Sequence, residues 1–259
     1  FIMVPEPIQN LSPLVAADRF EGYAFERTQL LHFINETGIT NVVFVSADIH
    51  STFINNVTYQ LHPDDRQRAT GAFEITTGSV AYAAPFGPTV LQYVPFGGLT
   101  RLIVGLYGRL TPVQQDRYFL RTANRLLRWF GYSPVGLQGT SIEADLTDGR
   151  YLAVNSYGWS EFGIDAESQR LTVTTYGIPW YDQLDLADDP EEVLGRVPKV
   201  ISRFDVDPVV DDEPSFDNQL RRPSPCGAFG MAGLLWPVSL AMFLLFRPRT
   251  RQRVDARCP

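Results

Sequence analysis

The residues of this chain best equipped for chemistry stand together in Asp48-Ile-His50-Ser51. A carboxylate and an imidazole two positions apart offer a hard oxygen and a borderline nitrogen, donors that one metal ion can share. They follow Val42-Val-Phe-Val-Ser46, a short β-branched and aromatic run without polar alternation, which reads as a fully buried strand. In open α/β sheets the C-terminal end of a strand is where ligands bind. A bare Asp-x-His also fits an Asp capping a turn beside a His hydrogen-bonded in a loop. Both readings stand at this point.

The other reactive side chains are less well placed. Arg27 lies in line with Tyr23, Leu30 and Ile34, on the helix face expected to be buried. It is either an Arg whose stem packs while its head snorkels to water, or a contact for a carboxylate or the substrate. His32 falls on the opposite, exposed side of that helix, and His62 precedes Pro63 in a loop. Ser51 has no G-x-S-x-G elbow around it and no evident base, which argues against a serine nucleophile. No P-loop, dinucleotide fingerprint or C-x-x-C pair is present.

The elements that must position Asp48 and His50 follow from periodicity. A helix is predicted from about Phe20 to Thr37, with Gly38 as its stop, followed closely by the strand at 41–47. Ala72–Thr77 alternates as a strand. Residues 78–101, rich in Gly, Pro and aromatics, read as a long irregular segment and the expected seat of substrate specificity. A second helix carries clear punctuation: Thr111 as N-cap, Pro112 at the first helical position, Gln114 as capping-box partner and Gly131 as stop. Thr140–Leu146, Tyr151–Tyr157 and Arg170–Tyr176 are expected as strands in antiparallel series, the first two separated by a turn at Thr147-Asp-Gly149.

From about Asp182 the acidic and Pro-rich composition predicts a solvated linker, residues 181–225. Residues 228–246 then carry no charge. As a helix they would reach about 28 Å, against about 30 Å of hydrocarbon. Arg247, Arg249, Arg251 and Arg253 follow at once, so the positive-inside rule places the C-terminus in the cytoplasm and the globular body outside. A buried soluble helix is the weaker alternative. Cys226 and Cys258 flank the span and would lie on opposite sides of the membrane, out of disulfide reach.

Composition bounds the partners. The 259 residues are 44% hydrophobic and 20% charged, ordinary for a globular chain with a sizeable core. Five Arg and one Asp give residues 247–259 a charge of +4, so the net −7 conceals −11 on the body. An acidic body lacks the basic stripe that a nucleic-acid backbone requires. It still admits a phosphorylated substrate if a metal supplies the positive charge. The chain starts at Phe1 and reads as a fragment or a processed product.

Phe20-Glu-Gly-Tyr23-x3-Arg27-x2-Leu30-Leu31, followed by Asn41-Val-Val-Phe-Val-Ser-Ala-Asp-Ile-His-Ser51, resembles the C-terminal half of PhoD-like alkaline phosphatases. Their pattern is a W-x-G-Y-x3-R helix, a hydrophobic strand, then G-D-x-H-S. Phe73-Glu-Ile-Thr-Thr-Gly-Ser79 is similar to the family's F-E-x-T-T-x-S strand. Asn155, Tyr157-Gly-Trp-Ser-Glu-Phe162 and Leu171-Thr-Val-Thr174 resemble its closing strands.

The resemblance implies an α/β fold: the C-terminal part, residues 1–180, of a metallophosphoesterase-type α/β/β/α sandwich, related to the calcineurin-like enzymes. It implies an exported phosphomonoesterase or phosphodiesterase with a multinuclear metal site, iron with calcium in the family and zinc or manganese as alternatives. Asp48 and His50 map onto its metal ligands, and metal-activated water would attack phosphorus in line. Ala47 replaces the family's Gly, and the family's earlier metal motifs do not occur in this chain. The chain alone is therefore expected to be inactive. Residues 226–259 resemble a plain anchor or a C-terminal sorting tag processed near Cys226. The competing function is a non-catalytic cell-surface domain that keeps the fold without a complete metal site.

Overall fold

A computed structural model describes residues 1–11, 20–62, 65–80, 83–92 and 104–210. The first helix, α1, spans Ala24–Glu36 after a 3-10 turn at Phe20–Tyr23. It buries Arg27, Leu31 and Ile34, while Tyr23 and Leu30, expected on the same face, stand 64% and 38% exposed. Gly38 at φ 65° closes it. Its N–H reaches Asn35 and that of Ile39 reaches Ile34, so the last carbonyls find donors as in a Schellman stop.

Among the described residues nine strands form two sheets. Sheet A takes β1 (Ile2–Met3), β2 (Val43–Ser46), β3 (Thr52–Tyr59), β4 (Arg68–Thr76) and β6 (Leu152–Ala153), in the order β1-β2-β4-β3-β6. β1, β2 and β4 are parallel, and β3 runs against both β4 and β6. Sheet B takes β5 (Ala144–Gly149), β7 (Ser156–Ile164), β8 (Leu171–Pro179) and β9 (Lys199–Val206), antiparallel in the order β5-β9-β8-β7.

Alternation along the strands of sheet A assigns its two faces. Val43, Val45, Ile54, Phe73 and Ile75 meet Val173, Phe204 and Val206 of sheet B in one core. Phe44, Val57 and Ala72 face the other way, onto Leu31 and Ile34 of α1. Phe53 packs on Phe119, Ala123 and Leu127 of α3 (Pro112–Trp129) and on Val90 of α2 (Phe86–Gln92). Sheet A thus has helices on one face and sheet B on the other. The expected mixed α/β fold with two sheets is present.

Three expectations need correction. The strand expected at Tyr151–Tyr157 is divided: β6 joins sheet A, and β7 opens sheet B. The residues read as a turn, Thr147-Asp-Gly149, belong to β5, which pairs with β9 and not with its neighbour in sequence. Nor does order end at Asp182. Residues of the expected linker form α4 (Gln183–Asp188), α5 (Pro190–Leu194) and β9, an interior strand of sheet B. The acidic residues that suggested solvation instead cap helices: Asp182 accepts from Leu184 and Asp185, and Asp189 from Glu192. Residues 211–225 and the apolar run 228–246 lie outside the described residues. Among the described residues no helix is long and apolar enough to cross a membrane.

Candidate functional site

β2 and β3 are not neighbours; β4 lies between them. The connection 47–51 must therefore cross the C-terminal end of β4, and β4 clamps it from beneath. Thr77 N–H donates to the Ser46 carbonyl at 2.9 Å, before the turn. The Thr76 hydroxyl donates to the Ser51 carbonyl at 3.0 Å, after it, and accepts from Phe53 N–H at 2.8 Å. Parallel β2 and β4 end here, and antiparallel β3 begins here, so Asp48 and His50 stand at the strand-end edge expected from the sequence.

Within the turn the residues alternate. Ile49 is 4% exposed and inserts among Phe53, Val90 and Phe119, and Ser51 is fully buried. Asp48 is left exposed and His50 half-buried. Both take left-handed backbone, at φ 70° and 51°. Ile49 N–H donates to the Ala47 carbonyl at 2.9 Å across Asp48, a γ-turn of the uncommon positive-φ kind. Left-handed non-glycine residues cluster where surrounding structure over-determines a functional turn. The left-handed positions are Asp48 and His50, not Ala47, so the methyl group at Ala47 meets no backbone demand there.

Ser51 is not a nucleophile in this arrangement: its hydroxyl accepts Phe86 N–H at 2.9 Å and docks the start of α2. His32 lies 3.2 Å from the Tyr59 hydroxyl and 3.8 Å from Glu36, and His62 is exposed. Neither joins the turn. Among the described residues no group of three or more His, Cys, Asp or Glu could hold a metal. Asp48 and His50 are two donor side chains on one turn, fewer than such a group needs.

Arg27 has a different place. Its head is buried, 6% exposed, so it does not snorkel. Its guanidinium donates to the carbonyls of Ile8 and Thr58. Thr58 stands about 20 Å along β3 from the Thr52 end, at about 3.3 Å per residue. The charge it faces is Glu74, a fully buried carboxyl that accepts Gln9 N–H at 3.0 Å, the Ser46 hydroxyl at 2.8 Å and Ile8 N–H at 2.6 Å. Burial raises the Glu74 pKa; those donors and the Arg27 charge pull it back.

Two buried carboxyls thus carry structure that the sequence reading did not assign, Glu74 on β4 and Asp116 on α3. Asp116 breaks an otherwise apolar pattern, sharing the stripe of Phe119, Ala123 and Leu127, and that mismatch is its signal in the sequence. Glu74 takes a polar place in an alternating strand, between Phe73 and Ile75, and carries no such signal.

No curated protein and no solved structure matches the chain. A family model does, that of the PhoD-like phosphatases, over residues 3–145, which include β2 through the start of β5 and the whole Asp48–His50 turn. The chain belongs to the PhoD-like phosphatase family.

Proposed function

We propose that this chain serves a metal-dependent phosphoric ester hydrolase, exported and held at a membrane, to which it contributes the ligands Asp48 and His50. The observation that carries the reading is the turn itself. A carboxylate and an imidazole project from a strand end, on left-handed backbone, within the region that matches a phosphatase family. A carboxylate oxygen and an imidazole nitrogen suit iron, zinc or manganese alike. When bound, the metal would polarise the phosphoryl group and lower the pKa of the attacking water. The chain's own part is positional. Ile49 and Ser51 face inward, so Asp48 and His50 face outward, and the clamp from Thr76 and Thr77 fixes the edge from which they project.

Residues 228–246 support the membrane part of the reading by their uncharged sequence and the Arg residues after them. A rival reading, a surface domain that keeps the fold without the chemistry, is favoured by the turn holding two donors and no third among the described residues.

Metal analysis with an aryl phosphate assay on the full-length protein separates the two. Bound metal and hydrolysis, with one metal lost in Asp48→Asn, uphold the hydrolase. Metal-free, inactive protein transfers the chain to the rival reading. Full activity in Asp48→Asn removes the role assigned to that carboxylate.

A further inference from the structure

Asp116 sits in the second turn of α3, 7% exposed, on the stripe that packs against sheet A. Packing alone would place an aliphatic side chain there, since a buried carboxylate is costly without partners. Its partners are specific. One carboxyl oxygen accepts Val154 N–H at 3.0 Å and the Asn155 side-chain amide at 2.9 Å, and that amide also donates to the Tyr107 hydroxyl at 3.1 Å. Val154 and Asn155 are the two residues by which the chain leaves β6 in sheet A and enters β7 in sheet B.

Two routes lead from this point to the residues after His50. Ala153 pairs with Thr52, the first residue of β3. The Val154 carbonyl accepts Gly87 N–H at 2.8 Å, and the preceding Phe86 N–H is the group that holds the Ser51 hydroxyl. The contacts are close: a Cβ added at Gly87 would lie 2.5 Å from the Asn155 side-chain oxygen and 2.7 Å from the Val154 carbonyl oxygen. No larger residue fits there without moving the network.

We infer that Asp116, bound to Val154 and Asn155, is a positioning residue for His50, fixing the Ser51–Thr52 anchor from which the left-handed His50 projects. A strained turn keeps its form only where its surroundings hold both ends. Thr77 and Glu74 hold the Ser46 end. The Asp116 network holds the other.

The inference rests on His50 being a metal ligand, and the experiment separates the two. The His side chains of the full chain are isotopically labelled and titrated with Zn2+ by NMR in wild type, Asp116→Ala and Asp116→Asn. The chain's three His make the His50 signal assignable. The midpoint at His50 is expected to rise about tenfold in Asp116→Ala, the lower end for losing a group that orients a ligand, and to recover to within about threefold in Asp116→Asn, which keeps the accepting oxygen. A folded Asp116→Ala protein with an unchanged midpoint overturns the inference.

If wild-type His50 ignores Zn2+, the ligand reading fails, and the amide signals of residues 50–52 in metal-free protein decide the positioning. Displacement in Asp116→Ala with return in Asp116→Asn upholds it, and unmoved signals overturn it. Should Asp116→Ala not fold, Gly87→Ala takes its place, pushing Val154 and Asn155 from the opposite side, with the same two outcomes.

Discussion

Asp48 occupies a backbone region that disfavours any side chain, and this separates its contribution to stability from the metal-ligand role proposed for it. At φ 70° a residue with a Cβ is strained by about 1 kcal/mol relative to glycine, somewhat less for Asp than for Ala. Asp48→Gly should therefore unfold at higher urea, by up to about 1 kcal/mol, while Asp48→Ala should be slightly destabilised. Both should lose metal affinity. A glycine variant less stable than wild type would show that the carboxylate holds the turn and is not merely displayed by it. Asp116 makes a second prediction. Burial raises its pKa to about 6 from an ordinary 3.8, with the Asn155 amide opposing the rise. A raised carboxyl pKa gives stability that is complete below the unfolded value and lost as pH climbs through the folded one. The loss should amount to about 3 kcal/mol between roughly pH 4 and 7. Urea unfolding of wild type and Asp116→Asn across that range tests it: the stability difference between them must change with pH, and parallel curves would show that Asp116 does not titrate as a buried acid. The two kinds of residue differ in legibility. Asp48 and His50 were readable because they end an apolar run. Asp116 was readable only as a mismatch and Glu74 not at all, since their donors lie 38 and 65 residues away in sequence, at Val154 and Gln9.

At the scale of elements, sequence spoke most clearly where the signal is local. α3 begins as its sequence predicts, with Thr111 and Gln114 each accepting the other's backbone N–H. It stops at Gly131, φ 81°, with the N–H groups of Gly131 and Tyr132 on Arg128 and Leu127. All the partners of these caps lie within five residues, so no knowledge of the fold was needed. Thr111→Ala should cost about 1 kcal/mol by thermal or urea unfolding, and no measurable loss would mean that water replaces the cap. β9 is the opposite case. Ser202, Phe204 and Val206 point inward at alternate positions, but Arg203 and Asp205 lie between them and acidic residues precede the strand. Its place in the fold comes from β5 and β8, whose ladders it completes, and two helices separate it even from β8 in sequence. Phe204, fully buried, packs its ring 5.4 Å from Tyr151 and 6.2 Å from Phe73. Phe204→Ala should destabilise the protein by about 3–5 kcal/mol. A loss below about 1 kcal/mol would show that β9 is dispensable to the core between the sheets.

The whole molecule joins its two sheets by more than their shared core. Asn41, at φ 58°, exchanges two hydrogen bonds with Val209, its side-chain oxygen accepting at 2.8 Å and its amide donating at 3.1 Å. The residue that leads into β2 is thereby tied to the chain just beyond β9. The described structure thus carries its ordered packing through to the end of sheet B, and the uncharged run begins only after residues 211–227. Among the described residues no helix is long and apolar enough to cross a membrane, and the uncharged run proposed as the anchor lies outside them. With 228–246 able to span about 28 Å and Arg247 to Arg253 behind it, the full chain should sediment with membranes and resist carbonate extraction. A chain ending at residue 210 keeps every described strand, so it should be released from that fraction with its unfolding midpoint unchanged. Full chain recovered in the carbonate wash would remove the anchor from the proposal. A shorter chain that unfolds early would mean that the C-terminal residues pack on the sheets as a soluble helix does, the alternative that the uncharged sequence alone leaves open.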